Sequence, residues 1–351
     1  MIRRLVCLAI LLATLGSGRA SSAAALSVTF FDVGQGDAAL IVSPTGKTVL
    51  IDAGPPGSAD GLRERLARLL SRPLDLAVLT HPHLDHLGGM EQALGVRGAQ
   101  LFMDSGFDHP SESYSRLLAF LEAQHIRVVN AKAGRKVDLG GGAMLTLLGP
   151  PAPFMEGTRS DVNANSIVAR LTYGKRAFLF TGDAEEPTEH ALLAGGDLGA
   201  DVLKVAHHGS GHSSIRAFLE GVHPSVAVIS VGVGNDYGHP SDATLKRLQA
   251  TGARVLRTDL DGEIRIRTDG EDLDIESSKT PAPPPIIAAR PVVAPAPVPV
   301  TSGFVASKRG RVFHRSDCLA VEKLKARNRV RFSRRALALA FGLSPAKDCS
   351  P

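Results

Sequence analysis

Three imidazoles and a carboxylate fall within six residues at His81-Pro82-His83-Leu84-Asp85-His86, the densest chemical signal in the 351-residue chain. Imidazole and carboxylate together suit zinc, manganese or iron. In an irregular loop, His81 and His83 can face one ion while Asp85 and His86 turn to a second. Gly88 and Gly89 follow directly and let the loop close tightly onto the next helix. The opposing reading is a solvated polar turn with coincidental histidines. Two further signals are weaker. An apolar run ends in Thr181-Gly182-Asp183, which taken alone is more often a turn or a helix cap. Another ends in His207-His208-Gly209-Ser210, where the histidines read as ligands or, alternatively, as core or capping groups.

Side chains of this kind must be held by strand ends. Ser27 to Val33, Ala38 to Val42 and Thr48 to Ile51 read as short successive strands separated by Gly turns. Leu62, Leu66, Leu69 and Leu70 give a helical spacing over about Asp60 to Leu70. Leu74 to Leu79 is a buried-type strand that delivers the histidine run at its C-terminal end. Later strands are expected at Met144 to Leu148, Ser166 to Leu171, Ala177 to Phe180, Val202 to Val205, Val226 to Ser230, Arg254 to Arg257 and Glu263 to Arg267, with helices between. Two sheets with helices outside fit this α/β layout.

Taken together, Asp52 in Ile51-Asp52-Ala53-Gly54, the HxHxDH run, Thr181-Gly182-Asp183 and His207-His208-Gly209-Ser210 resemble the metallo-β-lactamase superfamily. More narrowly, Phe31-Asp32-Val33-Gly34-Gln35-Gly36-Asp37-Ala38, Asn165-Ser166, Ser230-Val231-Gly232 and Asn235-Asp236-Tyr237-Gly238-His239-Pro240 resemble the hydrolase domain of ComEC-type DNA-uptake proteins. Arg257-Thr258-Asp259 and Asp261-Gly262 also fit, so the likeness runs from about Leu26 to Asp274. It implies an αββα sandwich holding two divalent metal ions, zinc or manganese. His81 and His83 would bind the first ion, and Asp85, His86 and His208 the second, with Asp183 bridging. Asp52 would orient the ligands from behind through hydrogen bonds. His207, Ser210 and His239 would face the substrate. Many superfamily members carry one more histidine for the first site. Here His109 lies in a polar loop and His125 near a helix end, so Asn165, or a water it holds, is assigned that corner.

The ends of the chain read differently. Arg3 and Arg4, the apolar stretch Leu5 to Leu15 and the small-residue tract Gly16 to Ala25 have the order of a secretory signal peptide over residues 1–25. An N-terminal membrane anchor is the alternative. Residues 26–276 would then be the hydrolase domain. Residues 277–302 hold Pro281-Ala282-Pro283-Pro284-Pro285 and Ala294-Pro295-Ala296-Pro297, a semi-rigid linker. Residues 303–351 form a small basic module with 12 Lys or Arg against 3 Asp or Glu, a balance of +9 in a chain whose net charge is +5. That excess favours a polyanionic partner, whether nucleic acid, anionic lipid or acidic polysaccharide. Arg327, Arg329 and Arg331 alternate on a short extended run opposite Phe332, as either a solvated basic face or a phosphate-contacting one.

The run from Phe304 through His314 and Cys318 to Cys349 resembles small zinc modules similar to the metal-binding domain of the Ada DNA-repair protein, giving a small α+β unit. Ala346 stands where a further cysteine ligand would be, leaving only His314, Cys318 and Cys349. A Cys318–Cys349 disulfide is therefore favoured over a three-ligand metal site. The combined expectation is a secreted or periplasmic phosphodiesterase, a nuclease resembling the ComEC-type hydrolase domain. It has no stable membrane insertion once the signal is removed, and no protein partner is predicted. Asp85 would orient or deprotonate the nucleophile, and His239 would donate to the leaving oxygen. The alternatives are hydrolysis of small phosphodiesters or lipid headgroups, and a DNA- or envelope-binding protein with weak catalysis.

Overall fold

The computed structural model describes residues 25–279 and, of the C-terminal module, 303–307, 310–316, 318–325, 328–332, 335–340 and 343–346. Nearly all of the expected signal segment and most of the Pro-rich linker lie outside the described residues.

In chain order the strands of the large domain are β1 (Leu26–Phe30), β2 (Ala39–Val42), β3 (Thr48–Ile51), β4 (Leu76–Val78), β5 (Leu101–Asp104), β6 (Arg127–Asn130), β7 (Lys136–Gly140) and β8 (Ala143–Leu147). They continue as β9 (Ala169–Tyr173), β10 (Arg176–Phe180), β11 (Val202–Lys204), β12 (Val226–Ile229), β13 (Arg254–Arg257), β14 (Ile264–Thr268) and β15 (Leu273–Ser277). One sheet has the order β15-β14-β1-β2-β3-β4-β5-β6 and the other β13-β12-β11-β10-β9-β8-β7. Pairing is parallel from β3 to β6 and from β10 to β13, and antiparallel elsewhere in both sheets.

The nearly continuous apolar runs follow from burial on both faces of each sheet. Strand residues alternate between two cores, because successive side chains point to opposite faces. Val49, Ile51, Leu76 and Val78 from one sheet meet Phe180, Val202, Val226 and Val228 from the other in a shared inner core. Phe30 and Phe180 bridge that layer with ring centroids 6.0 Å apart. The in-between residues Leu50 and Ala77 face outward, onto the helix Ala59–Leu69 through Leu62 and Leu66. Leu203, Ala227 and Ile229 do the same on the other side, against Phe218 and Leu219 of the helix Arg216–Val222 and Leu248 of Asp242–Ala250. The result is the expected αββα sandwich. Leu69, read as part of the buried stripe, is 44% exposed, while Leu70 just after the helix takes the core position.

The last strand, β15, extends one residue into the segment read as linker. The C-terminal module is α+β, as expected. Strands Phe304–Ser307, Val312–Arg315, Arg329–Phe332 and Ser344–Pro345 form one sheet, with helices Leu319–Glu322 and Arg335–Ala340 beside it. Phe313, Phe332 and Ala338 are buried together, and Arg331 is exposed on the face opposite Phe332. Arg327 lies outside the described residues. So does Cys349, the expected disulfide partner of Cys318; the Cys318 sulfur lies 4.0 Å from His314 Nδ1.

A candidate metal centre at the strand ends

Asp52 closes β3, the histidine run follows β4, Asp183 follows β10 and the His207-His208 pair follows β11, so parallel strands deliver all of them to one edge of the sandwich. Close backbone packing fixes the histidine loop. A Cβ on Gly88 would lie 2.3 Å from Pro56 Cδ, and one on Gly89 would lie 2.3 Å from the Ala53 carbonyl oxygen. Only glycine permits that approach.

Asp52 is the anchor. Its carboxylate accepts from Thr80 N at 2.7 Å, Thr80 Oγ1 at 2.7 Å and His86 Nδ1 at 2.8 Å. With Nδ1 so occupied, His86 presents Nε2 to the cleft, 3.3 Å from Asp183 Oδ1. Both atoms are buried and neither completes a hydrogen bond. His208 is oriented likewise, Nδ1 donating to Ser230 O at 3.0 Å with Asp37 Oδ1 alongside at 3.3 Å, so that Nε2 meets Asp85 Oδ2 at 3.1 Å. His81 Nε2 and His83 Nδ1 approach to 3.1 Å, and His81 Nε2 lies 3.7 Å from Asp183 Oδ2. Two donor groups result: Asp85, His86, Asp183 and His208 in one, and His81, His83 and Asp183 in the other, each within 4.8 Å internally. Buried donor atoms that converge without hydrogen-bond partners are what a cation would satisfy, and imidazole with carboxylate suits a divalent metal.

Residues 31–155, which hold Asp52, His81, His83, Asp85 and His86, match the family model of the metallo-beta-lactamase superfamily. This domain belongs to the metallo-β-lactamase superfamily. The chain is 35% identical over 243 residues to competence protein ComA of Neisseria gonorrhoeae, covering 68% of this chain and 32% of that one. It is 31% identical over 260 residues to ComE operon protein 3 of Bacillus subtilis (68% and 33%), and 31% identical over 258 residues to recombination protein 2 of Haemophilus influenzae (72% and 30%). The chain thus spans about a third of the length of these relatives. Its homologues include competence proteins.

Around the metallo-β-lactamase donors opens a cleft of about 600 Å³, lined among others by His83, Asp85, Asp183, Arg159, His207 and His239. Ser210 and Tyr237 also line it, so His207, Ser210 and His239, the residues expected to face substrate, all lie on this cleft. Asn165 is fully buried. Its Oδ1 accepts from Met155 N at 2.9 Å and its Nδ2 donates to Met155 O at 2.8 Å and Asp161 O at 2.7 Å. Asn165, expected at the open corner of the first site and at the substrate, instead ties the 155–165 loop to itself, and Asn163 is the cleft residue.

Carboxylates set the electrostatics. Burial raises Asp85, but His86 and the His208 hydrogen bond outweigh it and hold the carboxyl below the ordinary range. Asp85 thus orients a nucleophile better than it accepts a proton. Burial opposes charge on His208, yet Asp183 and Asp37 push it up to about 10. The same field that favours a proton there favours a cation. Burial, then His207 and His208, lower His239 to about 4, so it enters the cleft as neutral imidazole. A neutral ring offers the cleft one N–H donor and one acceptor nitrogen.

Several functional residues went unread. Asp37 holds Lys204 Nζ at 2.6 Å while flanking His208, and Glu185 contacts His207 Nδ1 at 3.3 Å while paired with Arg159. A lone lysine inside the apolar run Val202-Leu203-Lys204-Val205-Ala206 was the available signal.

Proposed function

We propose that the metallo-β-lactamase domain hydrolyses phosphodiesters of nucleic acid, using two divalent cations, zinc or manganese, outside the cytoplasm. The observation that carries the two-site reading is Asp183, whose two carboxylate oxygens face different donor groups. Held there, such cations would lower the pKa of a water and offset charge building on the attacked phosphate. The chain's own residues do the rest. Asp52 and Ser230 fix His86 and His208 with Nε2 inward. Asp85 aligns the attacking water through its ionised carboxylate. The neutral His239 ring, stacked 5.9 Å from Tyr237, donates to the departing oxygen. Arg159 at the cleft edge supplies positive charge toward the phosphate.

Nucleic acid is favoured as substrate on three grounds. The relatives are named for competence and recombination. The motifs resemble the ComEC-type hydrolase domain, and a basic module follows the linker. Location outside the cytoplasm rests on the signal-like order of residues 1–25. Among the described residues, no helix is long and apolar enough to cross a membrane. The test is cleavage of single- and double-stranded DNA, with bis-nitrophenyl phosphate as a small-diester control. Asp85→Ala and His83→Ala are expected to purify folded and inactive on both. Full activity in either variant removes the mechanism, and cleavage of the small diester alone removes the nucleic-acid assignment.

A further inference from the structure

The first cation site is one donor short. His81, His83 and Asp183 supply three groups, and the further protein ligand that the superfamily resemblance implies is not Asn165, whose side chain is consumed by backbone atoms. We infer that His207, through Nε2, completes this site, with Glu185 as the carboxylate that orients it. The inference rests on the two-cation reading above.

Asp183 shows how the donors divide. Its Oδ1 faces His86 Nε2 at 3.3 Å and His208 Nε2 at 3.8 Å. Its Oδ2 faces His81 Nε2 at 3.7 Å and His207 Nε2 at 3.7 Å. The adjacent histidines therefore lie on opposite sides of the shared carboxylate, His208 toward the second site and His207 toward the first. Their rings are 6.2 Å apart and inclined by 72°.

The backbone is distorted to achieve this. His207 and His208 have φ of 50° and 52°, two consecutive non-glycine residues in the left-handed region. Such a conformation costs on the order of 1–3 kcal/mol per residue and persists where function requires it. A right-handed or extended residue at 207 would send its ring elsewhere.

The other ring nitrogen completes the pattern. His207 Nδ1 lies 3.3 Å from Glu185 Oε1, and Glu185 is itself buried and held by Arg159 Nε at 3.2 Å and Asn163 Nδ2 at 3.2 Å. A carboxylate behind an imidazole whose far nitrogen points to a cation is the arrangement that orients metal-bound histidines. The His207 side chain is 16% exposed, enough to admit an ion and too little for a freely solvated group. His207 is outside the group of His81, His83 and Asp183, so ligation requires its ring to move toward His81 and His83. The competing candidate is His109, whose ring packs edge-on against His83 at 5.9 Å.

Metal content decides the matter independently of turnover. The full chain is loaded with zinc, freed of weakly held ion, and its zinc-to-protein ratio measured by mass spectrometry. Cobalt(II) titration followed by absorption gives the affinity of each site. Wild type is expected to hold two ions. His207→Ala should hold one, as should His207→Gly, which the left-handed backbone accommodates without strain. Glu185→Gln should keep two sites, with the first weakened about 10–100-fold. His109→Ala should match wild type. Two ions of undiminished affinity in both His207 variants overturn the inference and return His207 to substrate contact. Loss of an ion in His109→Ala alone overturns it in favour of His109. Fewer than two ions in wild type defeats the two-cation reading instead.

Discussion

Lys204 is almost completely buried, 2.6 Å from Asp37 Oδ2, and donates to Val205 O at 3.0 Å. Burial raises Asp37, but Lys204 and then His208 overcome it and bring the carboxyl down to about 2. Asp37 is therefore an anion beside His208 at all working pH, and Lys204 is its counter-ion. Removing one partner of such a pair leaves a buried charge uncompensated, at a cost of about 3–5 kcal/mol. Lys204→Met should lower urea-denaturation stability by that order, and adding Asp37→Asn should recover much of it. Equal losses in the single and double variants would show that the pair does not act as a unit. None of this was legible as chemistry in the sequence. The HxHxDH run announces itself because rare side chains crowd a short stretch, whereas Asp37 and Lys204 are 167 positions apart and become partners only when β11 lies across from the β1–β2 turn.

Helix Glu186–Gly195 governs the loop that follows the histidine pair. Glu189 accepts hydrogen bonds from Ser214 N and, at 2.8 Å, Ile215 N, while Arg247 donates from the other side to Ser213 O and Ser214 O, both at 2.8 Å. Ser210 and His212 reach the cleft from this clamped segment. Burial pushes Glu189 up to about 7 from an ordinary value of 4.5, against the Ile215 and Ser214 hydrogen bonds. The folded carboxyl thus binds its proton more tightly than the unfolded one. Its stabilisation is full below pH 4.5 and is lost as pH rises toward 7. Glu189→Gln should cost about 1–3 kcal/mol at pH 5. That cost should shrink by pH 8, as read from paired denaturation curves; a cost that grows with pH would refute the assignment. Element legibility followed burial. Strands β3, β4, β10, β11 and β12 are uniformly buried and read as apolar runs. The edge strands β6, mostly exposed with Arg127 and Asn130 at its ends, and β15, alternating Leu and Ile with acidic residues, carry too little apolar signal and went unread. So did β5 and β7.

At the scale of the whole molecule, the proposed function divides catalysis and polyanion attraction between different parts of one chain. The basic balance of the C-terminal module stands against a net −4 for the remainder. In the proposed function, tethering a weak binder through the Pro-rich segment would raise the substrate concentration near the cleft without adding contacts there. Deleting residues 303–351 should therefore weaken DNA binding and flatten its salt dependence, while turnover of a small diester stays unchanged. Binding that is equally strong and salt-sensitive in the truncated chain would place the polyanion site on the large domain instead.

The most direct measurement is DNA cleavage by the full chain before chelation, after exhaustive chelation, and after readdition of manganese or zinc. Activity that disappears with the chelator and returns with about two equivalents of metal is what Asp183 between two donor groups predicts. Cleavage that persists in metal-free protein would contradict it.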